Sequence, residues 1–536
     1  MSTDVPLKSL EEPSPDASAA QAFAEVLGLL ALFFLFAGAA VPEVNEAHYL
    51  AKARHYWDPS WCPRDAFLNS SDAHQVFYWS LGWMTLLFPL PVCAWIGRVI
   101  TWLLIAWAWQ RLSWALLPRA WFSIISAGCC LLLQKHGHMA GEWMVGGFEA
   151  KGPSYAFVLF ALEGVLRDAW PRAILCLGAA TAFHPIVGGW ALIASVVAWI
   201  FAGENRPSIW SLVPALAGSL AIALLGVAPA LLLTRGVSPA DVQRANEIYV
   251  FYRLHHHLVI DAFKAEFLIR FGALTAIFSG IALLAPAETV DRRLRGFVFG
   301  SLVIASAGLA IHFATLYHEN PAWILRYYWY RLADAVVPLG VTFVVLRLAW
   351  RWEADWPTAS HFAFAAASLA TLIGMGAEGW QRDPYFAPAD LNVGVSDPIA
   401  WKETCDWVAR NTPSDACFLV PKNECTFKWY AGRAEVVCWK DIPQDARGIL
   451  DWWQRWNDVH AVRTFTWRRS VAELTTDELI RLSRTKGYDF DYVIVDLSMG
   501  PPQFDLPCIY PARHLATAPY AIFALPPKEP AKETAK

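Results

Sequence analysis

Charge is scarce in this chain. Only 17% of its 536 residues are charged, against 56% hydrophobic residues and 29 Trp, whereas a soluble domain carries about 25% charged residues. That deficit excludes an ordinary soluble globular protein. The formal net charge is −4, so no nucleic-acid partner is expected, since a basic patch is the footprint of one. The ten Cys include no CxxC pair or zinc-ribbon spacing, which excludes a structural zinc module. No basic n-region precedes the first apolar run, so a cleaved signal peptide is not expected. No internal repeat is evident.

What is present is a series of apolar runs. A bilayer crossing takes about 20 residues, and eleven spans are read: Val26–Val41, Ala94–Trp109, Ala120–Leu133, Tyr155–Leu166, Ala173–Phe183, Ile186–Phe201, Ile209–Leu233, Phe267–Ala285, Phe297–Leu316, Leu332–Leu346 and Phe362–Ala377. Tyr155–Leu166 and Ala173–Phe183 are short enough to be broken helices. Val76–Pro91 is interrupted by Pro89 and Pro91 and reads as an interfacial or re-entrant helix.

The loops between spans sort into two kinds. Arg111–Arg119, Arg167–Arg172, Ala202–Ser208, Pro286–Gly296 and Arg347–Pro357 are short and Arg-rich. Pro42–His74, Gln134–Ser154, Thr234–Glu266 and Tyr317–Arg331 are long and crowded with carboxylates, His and aromatics. The kinds alternate along the chain. Dense positive charge in short loops marks the cytoplasmic side, which places the acid- and His-rich loops outside. The expected organisation is a disordered cytoplasmic tail (1–21), a transmembrane bundle (22–380) with a long first outer loop (42–93), an extracytoplasmic α/β domain (381–530) and a short tail (531–536). The expected location is the bacterial inner membrane.

The last segment is polar. It alternates β-like runs (Ala416–Val420, Glu435–Trp439, Tyr492–Asp496, Tyr520–Leu525) with helix-like ones (Pro398–Arg410, Asp441–Val462, Thr476–Arg484). Cys93, Cys129, Cys130 and Cys176 fall in or beside spans and pack there. Cys62, Cys405, Cys417, Cys425, Cys438 and Cys508 lie on the expected outer side, where disulfides are permitted but pairing is not readable.

The first span ends in Val41–Pro42–Glu43–Val44–Asn45–Glu46–Ala47–His48–Tyr49–Leu50. This segment resembles the first outer loop of the GT-C superfamily of polyprenyl-phosphate-dependent membrane glycosyltransferases. There an acid just past the first helix acts as base or metal ligand, often in an Asp-Glu pair; here Asn45–Glu46 replaces the pair. His74–Gln75–Val76–Phe77–Tyr78–Trp79 resembles their His-Pro-Pro-Leu-type segment without its prolines. Asp406–Trp407–Val408–Ala409–Arg410–Asn411–Thr412–Pro413 and Tyr520–Ala521–Ile522–Phe523–Ala524–Leu525 are similar to parts of their outer α/β domain.

The resemblance implies Glu46 as general base, with Glu43 competing for the role; the plainer reading is a helix N-terminal acid favoured by the dipole. Glu142 and Glu149, in a Gly-rich loop, would join Glu46 in holding Mg²⁺ or Mn²⁺, or would orient sugar hydroxyls; otherwise they are merely exposed. Lys151 is a candidate phosphate contact. Arg244, Arg253, Arg326 and Arg331 are candidates for the lipid phosphate, because guanidinium recognises it bidentately; an aromatic belt with snorkelling arginines is the alternative. His184, ahead of Pro185, needs a partner in lipid and reads as a cavity-lining break. His136, His138, His255–His257 and His318 lack the spacing of a helix-borne metal pair. These expectations describe an inverting glycosyltransferase moving a sugar from a polyprenyl-phosphate donor to an unidentified acceptor. The alternatives are a transporter, or a non-catalytic scaffold or sensor.

Overall fold

The computed structural model describes residues 17–315, 321–381, 395–463, 466–468, 470–511 and 518–527. Most of the tail read as disordered, and His318, lie outside the described residues. Backbone in hydrocarbon must satisfy its own N–H and C=O groups, and the apolar part of the chain is accordingly helical. Its helices are α1 (Ala19–Ala37), α2 (Glu46–Trp57), α3 (Gln75–Leu81), α4 (Met84–Leu87), α5 (Leu90–Leu116), α6 (Phe122–Gly137), α7 (Lys151–Leu166), α8 (Trp170–Phe183), α9 (Pro185–Phe201), α10 (Ile209–Leu231), α11 (Pro239–Glu247), α12 (His255–Leu258), α13 (Ala265–Leu284), α14 (Thr289–Thr315), α15 (Ala322–Leu325), α16 (Arg331–Arg351) and α17 (Pro357–Gln381).

Seven of these, α1, α5, α10, α13, α14, α16 and α17, are long and apolar enough to cross a membrane. The other four expected spans also fall on helices, but α6, α7, α8 and α9 have only 16, 16, 14 and 17 residues. Helix α16 forms the axis of the bundle: its apolar window is 89% buried, against 17% for α10 and α17 at the periphery. Val76–Pro91 forms the short helices α3 and α4 and the start of α5, with Trp79, Trp83, Leu86, Leu87 and Phe88 exposed.

The Arg-rich loops meet one another at one end of the bundle. Arg111, Arg167 and Arg172 converge on the buried Glu163, and Arg347 and Arg351 on Asp291 and Glu288. The acid- and His-rich loops meet at the other end, beneath the C-terminal region.

That region has helices α18 (Pro398–Asn411), α19 (Phe427–Ala431), α20 (Ala446–His460) and α21 (Thr476–Ile480). Asp397 caps α18, and Thr475 with Glu478 forms a capping box on α21. Its strands are β1 (Cys417–Leu419), β2 (Ala434–Glu435), β3 (Ala461–Arg463), β4 (Thr466–Trp467), β5 (Tyr492–Asp496), β6 (Cys508–Tyr510) and β7 (Tyr520–Ala524). Five make a mixed sheet in the order β2-β1-β5-β7-β6, with β1 parallel to β2 and β5, and β7 antiparallel to β5 and β6. The strand expected over Glu435–Trp439 is a two-residue edge pairing; beyond it the chain leaves the sheet to carry Lys440 and Asp441 toward the bundle. The end of the helix expected over Asp441–Val462 enters the β3–β4 hairpin instead. All ten cysteines are free thiols.

Candidate active site

Glu46 opens α2 and is fully buried. Its Oε1 accepts from Arg98 Nε at 2.6 Å and the Phe148 N–H at 2.8 Å; its Oε2 accepts from Arg98 Nη2 at 2.7 Å and the Glu43 N–H at 2.8 Å. Four donors leave neither oxygen free to take a proton or a metal ion, and Glu46 does not line the neighbouring cavity. The structure therefore corrects the expected base: Glu46 is a clamp that ties α2 to α5 and to the loop before α7. The sequence signal for this was Arg98 inside an apolar span, where a charge needs a partner.

Glu43 also lies off the cavity. Burial, helped by the charges of Glu46 and Glu149 and opposed by Arg98 and Lys151, pushes its carboxyl up to about 7. Gly147 makes room for both acids, since a Cβ there would sit 2.6 Å from Glu43 Oε2 and 3.0 Å from Glu46 Cγ.

The cavity has a volume of about 430 Å³, within the range of small-ligand sites. Glu142, Glu149, Lys151, His184, Arg326 and Arg331 all line it; Arg244 does not. Arg244 pairs with Glu247 at 3.1 Å instead. Arg331 Nε lies 2.9 Å from Glu142 Oε2, and its Nη1 lies 3.2 Å from His184 Nε2. Glu149 accepts from Asn45 Nδ2 at 2.8 Å. Lys151 Nζ sits over the Trp143 ring, 3.7 Å from Glu142 and 3.4 Å from Glu149.

The loop carrying Glu142 is held by a residue that sequence reasoning missed. Asp334, fully buried on the first turns of α16, accepts from the backbone N–H groups of Met139 and Ala140 at 2.8 Å and Glu142 at 3.3 Å. A carboxylate inside an otherwise apolar span was the available signal. Between these donors Gly141 takes φ +80°, which L side chains rarely adopt, and the Ala140 carbonyl meets His257 Nδ1 at 2.6 Å.

Among the described residues, three further cations in the lining, Arg253, Arg326 and Lys440, have no ion-pair partner. Arg326 donates to Asn246 Oδ1 at 2.5 Å and Arg253 Nε to the Trp439 carbonyl at 2.8 Å, both neutral acceptors. Burial pulls the Lys440 ammonium below its ordinary value. Burial also brings His256 to about 4 and His257 to about 3, so these cavity imidazoles are neutral at pH 7. Lys440 and Gln444 arrive from the C-terminal region, and no local pattern marked them.

A divalent ion does not fit the expected ligand set. Glu46 is saturated, and the Lys151 ammonium already lies between Glu142 and Glu149. Among the described residues, another group of suitable atoms is Glu435, Cys438 and Asp441, lying within 4.8 Å of one another. There the Lys428 ammonium lies 2.5 Å from Glu435 and 2.7 Å from Asp441.

Fold and cavity together define a polytopic membrane protein with a polar chamber between its bundle and an α/β cap. A family model described as a domain of unknown function (DUF6798) matches residues 399–459. No curated protein matches the chain. Solved structures similar in part include three of archaeal origin. The Archaeoglobus fulgidus oligosaccharyltransferase in the apo form gives a TM-score of 0.44 at 12% identity, over 90% of this chain and 69% of that one. Its complex with Zn and sulfate gives 0.38 at 11%, over 89% and 68%. The oligosaccharyltransferase AglB from the same organism, with an inhibitory peptide and a dolichol-phosphate, gives 0.43 at 12%, over 90% and 69%. At these scores the functional reading rests on the cavity's own residues.

Proposed function

We propose that this chain is a membrane glycosyltransferase of the GT-C type that takes a sugar from a polyprenyl-phosphate donor. One observation carries the reading: three cations with no ion-pair partner among the described residues line a chamber whose lining also includes Ile186, Leu231 and Leu233. A buried cation is costly until an anion joins it. The apolar part of the lining suits a ligand with one charged end and one hydrocarbon end, and Leu231 is 72% exposed on the bundle's outer surface.

In this reading Arg253, Arg326 and Lys440 neutralise the phosphate as it leaves. Asn45, Glu142 and Glu149 hold sugar hydroxyls, with Lys151 and Arg331 keeping the two acids in place. Single displacement at the anomeric carbon inverts it. Glu46 and Arg98 act at one remove, by fixing the turn that presents Asn45.

The test is binding of undecaprenyl phosphate to the full chain in nanodiscs, followed by release of labelled sugar from polyprenyl-phosphate sugars. Undecaprenyl phosphate should bind far more tightly than undecaprenol, and Arg326→Ala with Lys440→Ala should remove the difference. Equal binding of phosphate and alcohol would overturn the proposal.

A further inference from the structure

With Glu46 saturated, the transferase reading lacks a group to take the acceptor's proton. We propose that His74, oriented by Asp72, is the catalytic base of the chamber. The proposal rests on the transferase reading and adds a residue to it.

His74 precedes α3, is 5% exposed and lines the cavity. Asp72, 2% exposed, accepts from the His74 backbone N–H at 2.7 Å and faces His74 Nδ1 at 3.0 Å through the same Oδ1. Its Oδ2 accepts from the Tyr78 hydroxyl at 3.1 Å and lies 4.0 Å from Lys52 Nζ. An ionised carboxylate only accepts, so Nδ1 carries the ring proton and Nε2 keeps its lone pair. Gln444 Nε2 competes as a donor for the same Nδ1 at 3.0 Å, its Oε1 being held by the Ala73 N–H; the ionised Asp72 is the stronger partner, because a charge-assisted hydrogen bond outweighs a neutral one. Among the described residues His74 Nε2 has no hydrogen-bond partner. The ring packs against His184 at 5.0 Å and Tyr49 at 5.3 Å, and Arg331 stands behind His184.

Burial alone would raise the Asp72 carboxyl, but the His74 ring, its hydrogen bonds and Lys52 hold it well below the usual carboxylate range. Asp72 faces three donors, the His74 N–H, His74 Nδ1 and the Tyr78 hydroxyl, with Lys52 beyond, so it is placed to stabilise an imidazolium as it forms, which is the task of the acid in an Asp–His pair. The rival acids are occupied: Glu142 by Arg331 and Lys151, Glu149 by Asn45 and Lys151.

The step balances. The acceptor's O–H or N–H proton passes to His74 Nε2 while its heteroatom bonds the anomeric carbon. The carbon–oxygen bond to phosphate breaks, and its electron pair stays on the phosphate oxygen facing Arg326 and Lys440. The imidazolium then returns its proton to water.

His74→Gln should lower kcat by about 10²–10⁴-fold, the usual contribution of a general base. Its undecaprenyl phosphate affinity should stay within about twofold of wild type, and it should lose the acidic limb of the pH–kcat profile. Asp72→Asn should lower kcat and shift that limb. Unchanged kcat in His74→Gln, with the limb retained, would overturn the assignment while leaving the transferase reading standing. Failure of the wild type to bind undecaprenyl phosphate would remove that reading first. A measurement on the wild type is independent of variant folding: diethyl pyrocarbonate should modify His74 at pH 7, and undecaprenyl phosphate should slow the reaction. Modification of His74 that undecaprenyl phosphate does not slow would also overturn it.

Discussion

The two ends of the bundle use positive charge in opposite ways. At one end arginine is closed into networks: three guanidiniums share Glu163, and Arg347 binds Asp291, Glu288 and the Leu116 carbonyl. At the other, Arg253, Arg326 and Lys440 meet only neutral acceptors or open space. Arg98, Arg331 and Lys151 are exceptions at the chamber end, each paired with a carboxylate. Arg295 at the Arg-rich end also meets only backbone carbonyls, so what distinguishes the chamber is that its unpaired cations border a cavity an anion can enter.

The largest effect should follow from breaking a saturated pair. Arg98→Ala leaves Glu46 buried with two backbone donors, and removing one partner of a buried pair costs about 3–5 kcal/mol. Thermal unfolding in detergent should show the loss. Arg98→Met combined with Glu46→Gln should recover much of it, since no buried charge is then stranded. A negligible loss in Arg98→Ala would mean that the clamp is not structural.

Next come the unsaturated cations. Arg326→Ala or Lys440→Ala removes a charged contact worth about 1.5–3 kcal/mol to a bound anion, or roughly 10–100-fold in undecaprenyl phosphate affinity. Neither should lower the unfolding temperature. If they destabilise the protein and leave binding unchanged, the contrast between the two ends fails.

A third effect concerns Glu43, whose carboxyl is raised from 4.5 to about 7, chiefly by burial. A raised carboxyl favours the folded state while protonated. This contribution is complete below about pH 4.5 and is lost as pH rises through about 7. Unfolding temperature against pH should fall across that window in the wild type and fall less in Glu43→Gln. Parallel curves would show that the group is not shifted.

The smallest effect is expected at Arg244, which pairs with Glu247 on the surface, away from the chamber. Exposed pairs contribute about 0–1 kcal/mol, so Arg244→Ala should change undecaprenyl phosphate affinity less than twofold. A tenfold loss would place Arg244 back among the phosphate contacts.

Much of the bundle was legible because hydropathy is local. Each expected span overlaps a helix, and Pro89 with Pro91 marked the break that leaves α3 and α4 too short to cross. The strands at Tyr492–Asp496 and Tyr520–Ala524 were visible as apolar β-branched and aromatic runs. The β6 strand and the β3–β4 hairpin were not, because two or three residues are too few to show a period.

The candidate residues divide in the same way. That Glu43, Glu46, Glu142, Glu149, Arg326 and Arg331 belong to one family of loops follows from their order between apolar runs, which alternation assigns to one end of the bundle. Which of those acids faces the chamber does not follow, since Glu46 and Glu142 sit in equally polar surroundings along the chain. Arg98, arriving from α5, closed Glu46 away. Arg331 and Asp334 on α16 turned Glu142 inward, and Lys440 and Gln444 came from the α/β cap to complete the wall. Burial of an apolar run is decided by the run's own composition, so the chain alone set the helices and the end at which the chemistry gathers. The state of a charge is decided by which partner reaches hydrogen-bonding distance, and only the packed tertiary structure could choose those partners.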